Sequence, residues 1–269
     1  MQICAHMSAV FGRRWRYLSS LNHFLLVNED SMQTTSPCVT CPHRDLGFCG
    51  TLLENSFEES HSHQGANWQH HRTVPAGEQI ATRNQVSEDV FLVCGGWGFR
   101  FFQLPNGRKQ ILNFLLPGDL FSATSVFERR FHFSVKALTA AQISGMRRVE
   151  VQARLAVNPA ILMALAKSCI AETEAADRMQ TALGQCSAEE RIAYLLLHLT
   201  QRIAARSVIR EQCYPFPLRQ QHIADAVGLT AVHVSRVLSL FRDRGIVELS
   251  DGFLKVFNLP EMERIGSLN

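Results

Sequence analysis

Residues 216–244, FPLRQQHIADAVGLTAVHVSRVLSLFRDR, constrain the fold more than any other stretch. From Arg219 onward the apolar residues Ile223, Ala224, Val227 and Leu229 recur at the spacing of one helix face. Gly228 ends that helix where a left-handed residue is wanted, and Thr230 stands where a second helix needs its N-cap. In the second helix Val234, Val237, Leu238 and Phe241 point back at the first, leaving Ala231, Val232, His233, Ser235, Arg236 and Ser239 on the open side. This predicts a helix-turn-helix, whose second helix reads base edges from the major groove. Residues 246–249 and 253–257 alternate around Ser250-Asp251-Gly252, which predicts two short strands joined by a turn, a wing. Such helix pairs also occur as plain packing units; the wing behind this one favours DNA. Eight arginines against five carboxylates leave residues 187–244 at +3, a mildly basic balance.

The rest of the chain reads as a gate for that unit. A hydrophobic content of 46% over 269 residues supports two domains with ordinary cores. No apolar run approaches the roughly 20 residues that a membrane span requires. Residues 1–31 carry Arg13-Arg14 and a weak apolar stretch interrupted by Asn22 and His23, with no small-residue cleavage site after it. They read as a flexible extension or a misplaced start ahead of Met32, on a cytoplasmic protein.

Three of the eight cysteines cluster as Cys38, Cys41 and Cys49 in SPCVTCPHRDLGFCG. Thiolates so close converge on a soft metal centre, zinc or iron–sulfur, and a disulfide is disfavoured in the cytoplasm. The fourth ligand is open between Cys94, His43 and a carboxylate. After a short helix at 56–67, turn signals at Pro75-Ala76-Gly77, Pro105-Asn106-Gly107 and Pro117-Gly118-Asp119 separate short apolar strands, a hairpin at 99–116 among them. Their spacing argues an antiparallel β-roll or jelly roll. His61, His63, His70 and His71 stand ahead of those strands without a carboxylate at cupin-like spacing, and read as solvated surface rather than as an enzyme's metal site.

Asn158 and Pro159 then start a long helix. Leu162, Leu165, Cys169, Glu172, Ala176, Met179 and Leu183 step along it by three and four, the seam of a two-stranded coiled coil. Glu172 in that seam predicts a marginal dimer held apart by charge until something upstream adds stability. Ser187 and Glu190 make a capping box for the following helix, 188–205.

In this order the cysteines, the roll with NGRKQILNFLLPGDLF, the long helix, SAEERIAYLLLHL, LRQQHIADAVGLTAVHVSRVL and the wing resemble the Crp/Fnr superfamily of transcription regulators across about residues 37–260. The amino-terminal cysteines resemble those of its FNR-type oxygen sensors. The resemblance implies an α+β chain: extension 1–36, cysteines and β-roll sensor 37–145, connecting and dimerisation helix 146–186, and winged helix-turn-helix 187–269. It implies a homodimer on double-stranded DNA at a palindromic operator, with RNA polymerase as a further partner. It also implies an oxygen-labile 4Fe–4S cluster on Cys38, Cys41 and Cys49. The family's fourth cysteine falls at about Ser144, which is not cysteine, so Cys94 is the substitute. A zinc, thiol-redox or vestigial site is the alternative, and a β-roll metalloenzyme the competing class. The cyclic-nucleotide branch needs a glutamate after the Pro-Gly-Asp turn and an arginine–serine pair further on. Phe121-Ser122-Ala123 and Phe131-His132-Phe133-Ser134 stand there, so no cyclic nucleotide is expected. By the same resemblance Arg236 reads guanine, Ser235 matches an FNR-type position, and Val232 replaces an acidic reader. His233 contacts base or phosphate, while Arg219, Gln220, Thr230 and Arg242 anchor phosphates.

Overall fold

The computed structural model describes residues 47–54 and 70–268. Cys38, Cys41, His43, His61, His63, the extension and the helix expected at 56–67 lie outside the described residues. The described chain runs α1 (Gly47–Glu54), β1 (His70–Val74), β2 (Gln79–Ala81), β3 (Asp89–Gly95), β4 (Gly98–Gln103), β5 (Lys109–Leu115), a 3₁₀ turn (Ala123–Val126), β6 (Ser134–Ala137) and β7 (Ala141–Arg147). It continues with α2 (Arg148–Val157), α3 (Pro159–Gln185), α4 (Ala188–Ala204), β8 (Cys213–Pro215), α5 (Gln220–Val227), α6 (Ala231–Asp243), β9 (Val247–Ser250), β10 (Phe253–Val256) and α7 (Leu259–Gly266). Among the described residues no single helix is long and apolar enough to cross a membrane.

Two antiparallel sheets, ordered β1-β7-β3 and β2-β6-β4-β5, form the roll. The β4–β5 hairpin closes through Leu104–Arg108 bonding, with Gly107 at φ 82° supplying the left-handed residue of its turn. Phenylalanines fill the space between the sheets. Phe121 is wholly buried there with Phe131, Phe133 and Val135, and its ring centroid lies 5.4 Å from that of Phe91. The other face of β4 and β5 presents Phe99, Phe101, Ile111 and Phe114 to a second core, shared with α4, α5, α6 and the wing.

Asn158 caps α3 by accepting from Ala160 N–H at 2.9 Å, and α2 meets α3 at 116°. Of the seven positions expected to form a dimer seam along α3, several pack within their own chain. Leu165 is 1% exposed, in a cluster with Phe48, Leu52 and Val90, and Cys169 packs on the same cluster. Glu172 Oε2 pairs with Arg100 Nη1 at 2.8 Å, and Oε1 accepts from Ala123 N–H at 2.8 Å. Met179 packs on the core beneath the helix-turn-helix, and Leu183 lies against Gly228. Leu162 and Ala176 alone of the seven remain exposed. Steps of three and four disclose an apolar face without disclosing its partner. Within the chain the Glu172 carboxylate is thus already held by Arg100. Met163 and Ile170, both 57% exposed, mark the outward stripe of α3, continued by Thr173, Asp177 and Gln180.

Candidate nucleic-acid interface

The α5–turn–α6 unit is set by a few residues. Ile223, Ala224, Ala226 and Val227 bury one side of α5, and Gly228 closes it at φ 68°, ψ 34°. A side chain at that φ is strained, which is why glycine stands at this turn. Thr230 begins α6 by accepting from His233 N–H at 3.2 Å. The two helices cross at 106°, within the roughly 90–120° of a helix-turn-helix.

Burial then sorts α6 into two sides. Val234, Val237 and Phe241 are sealed against the core, while Val232, His233 and Arg236 are exposed and Ser235 and Ser239 partly so. Gln220, at the start of α5, shares a shallow concavity with Ala231, Val232, Ser235, Arg236 and Ser239. A second concavity joins Arg219, Gln220 and Arg242 to the wing tip at Ser250, Asp251 and Gly252. Thus the candidate phosphate anchors flank the candidate base readers, and Thr230 lies at the exposed turn between the helices. The wing turn has Asp251 at φ 51° and Gly252 at φ 80°, the backbone of a tight two-residue hairpin. Arg244, which a charge count adds to this face, is spent elsewhere on Glu261 at 2.7 Å and Glu189 at 3.3 Å.

On the sensor side, Ser144 Oγ lies 2.9 Å from Cys94 Sγ and 2.6 Å from His71 Nδ1, because β7 sits between β1 and β3. Cys49 is buried on α1, and Cys94 packs against the same apolar cluster. Both thiols border one apolar cluster, and Cys38 and Cys41 lie outside the described residues. Among the described residues no three His, Cys, Asp or Glu side chains converge as a metal site. His70 and His71 are surface-exposed.

Sequence reading missed the contacts that tie this sensor to the DNA-binding half. Asp119, in the Pro-Gly-Asp turn, binds Arg202 Nη2 at 2.5 Å and Arg206 Nη2 at 2.6 Å. Arg202 Nη1 also donates to Phe114 O at 2.9 Å, and Arg206 Nε to Pro117 O at 2.9 Å. Beside them burial, reinforced by Arg202 and Arg178, pushes His198 down to about 4. The only signal in the sequence is Arg202 and Arg206 spaced four apart near the end of an amphipathic helix.

Two family models match the chain: a cyclic nucleotide-binding domain over residues 71–158 and a Crp-like helix-turn-helix domain over residues 190–265. The nitrogen fixation regulation protein FixK of Azorhizobium caulinodans is 31% identical over 171 residues, covering 64% of this chain and 68% of that protein. The transcriptional activator protein FnrL of Cereibacter sphaeroides is 27% identical over 216 residues, covering 79% and 84%. In fold the chain is similar to FixK2 from Bradyrhizobium japonicum, with a TM-score of 0.68 at 23% identity, over 74% of this chain and 98% of that one.

Proposed function

The chain belongs to the Crp/Fnr family of DNA-binding transcription regulators, and from that premise we propose that it is a cytoplasmic homodimer whose grip on a palindromic operator is set by oxygen or redox state at its amino-terminal cysteines. The observation that carries the DNA half is the division of α6, with three apolar residues sealed inward and Val232, Ser235 and Arg236 facing out beside Gln220. Arg236 is of the right chemistry to pair with guanine O6 and N7, and Ser235 with either partner of a base pair. Exposed N–H groups at the starts of α5 and α6, with Arg219, Gln220, Thr230 and Arg242, suit phosphates on either side.

The redox half is supported by Cys94 standing beside Ser144, the place where the resemblance calls for a cysteine. A 4Fe–4S group held by Cys38, Cys41, Cys49 and Cys94 would supply the oxygen-labile element. The chain's own part is mechanical. Phe48, Cys49 and Leu52 of α1 pack on Ile161 and Leu165, so a change at the cysteines bears directly on α3. α3 in turn abuts Gly228 through Leu183, and its outward stripe is the surface left for a second copy.

The test compares protein purified with and without air for iron, acid-labile sulfide, dimerisation and binding to a palindrome. Iron-loaded protein should dimerise and bind, air should abolish both, and Cys94→Ala should lose iron. Equal binding with and without iron and sulfide sinks the redox switch while sparing the DNA-binding function. The His71–Ser144–Cys94 contacts favour a second reading, in which Cys94 is a redox-active thiol. Air sensitivity in iron-free protein, lost in Cys94→Ala, would select it.

A further inference from the structure

We propose that Val232 selects a thymine in each operator half-site by contact with its C5-methyl group, beside the guanine read by Arg236. The proposal rests on the DNA-reading assignment of α6 and names what one of its residues recognises. Val232 is 62% exposed, an apolar side chain held in water on the open side of a helix whose other valines are sealed. It stands three residues before Ser235 and four before Arg236, so all three share a face, and they line one shallow concavity with Gln220. Thr230 caps the helix two residues earlier, which puts Val232 in the first turn, the part that enters the groove in this class of motif.

The chemistry of the side chain narrows its partner. Of the groups displayed in the major groove, the purine N7, the guanine and thymine carbonyls and the adenine and cytosine amino groups all demand a hydrogen-bonding partner. Valine offers none, so pressing it against those groups strips them of water without replacement. The thymine methyl is the one apolar feature on offer. Val232 therefore favours thymine over cytosine by burying that methyl, which cytosine lacks, since the polar group of either base finds no partner in valine. A glutamate there would reverse the preference, because a carboxylate accepts from the cytosine amino group.

The experiment selects a preferred duplex from a random-sequence pool with the full-length chain prepared without air. Each thymine of the half-site is then replaced by deoxyuridine, which removes the methyl and leaves the pairing intact. One position in each half-site should weaken binding about fourfold, the ~0.8 kcal/mol of one buried carbon group. Val232→Ala should bind thymine and deoxyuridine duplexes equally at that position, and Val232→Glu should select cytosine there. Val232 is exposed, so neither variant threatens the fold. Indifference of the wild-type chain to every uracil, or an undiminished thymine preference in Val232→Ala, overturns the role of Val232 and leaves DNA reading intact. Failure to enrich any duplex at all overturns DNA reading itself, and the proposal with it.

Discussion

Arg236 projects from α6 into solvent and makes no ion pair with its own chain among the described contacts, whereas Arg242 has Asp243 at 3.5 Å. The two arginines should therefore fail differently. Arg236→Ala is expected to cost roughly 1–3 kcal/mol on a selected duplex and little on a scrambled one. Arg242→Ala should weaken both alike and lower the salt slope by about 1. Titrations at several salt concentrations distinguish them, and equal losses for Arg236→Ala on both duplexes would remove its base-reading role. The inward and outward sides of α6 are legible in the sequence because 3.6-residue periodicity sorts them. Long-range partners carry no such period, so Asp119 with Arg202 and Arg206, and Ser144 with Cys94, emerge only once the strands are folded together. His198 is another residue the sequence conceals. Its ring is held neutral, at about 4 against an ordinary 6.5, by burial and by Arg202 and Arg178. The unfolded chain binds a proton here between those pH values and the folded one does not, so stability present above pH 6.5 is lost as pH falls toward 4. A displacement of that size is worth roughly 3 kcal/mol. Urea unfolding at pH 7 and pH 5 should show the loss, and His198→Leu should flatten the slope over that window.

At the scale of the element, α3 shows what periodicity settles and what it leaves open. Its start at Asn158-Pro159, its end at Gln185 and the capping box that begins α4 follow from local residues. The apolar stripe is equally plain, and within the chain it packs on α1 through Leu165 and on the core beneath the helix-turn-helix through Met179. Glu172 is the clearest instance. It caps the 3₁₀ turn through Ala123 N–H and neutralises Arg100, whose side chain is 11% exposed. Glu172→Ala should leave Arg100 without its carboxylate and cost about 2 kcal/mol, between the values for surface and buried pairs. Glu172→Gln, which keeps an acceptor for Ala123, should cost less. Neither change should tighten a dimer. Sedimentation that showed Glu172→Ala dimerising more strongly than the parent chain would support the repulsive seam and remove the intrachain role.

Across the whole molecule, the boundary marked by Ser187 in the chain is not a boundary of packing. Trp97, Phe99, Phe101 and Phe114 of the roll share one core with Leu196, Ile223, Val234 and Phe241 of the DNA-binding half. Gln110 Nε2 adds a bond to Ala226 O at 2.8 Å, and Asp119 gathers Arg202 and Arg206 onto the sensor's turn. A large apolar junction with a polar clamp at its edge is expected to make the two halves unfold together and to hold α6 against the roll. Asp119→Asn tests that coupling. It removes the carboxylate that pairs with two guanidinium groups whose side chains are 17% and 19% exposed, leaving like charges opposed in a site with little water. The expected cost is about 3 kcal/mol, carried by the junction rather than by either half. Thermal unfolding should accordingly split, with the DNA-binding half melting before the roll, and duplex affinity should become less sensitive to the state of the cysteines. A single transition at an unshifted midpoint would place the coupling in the apolar core alone, with the Asp119 clamp contributing nothing to it.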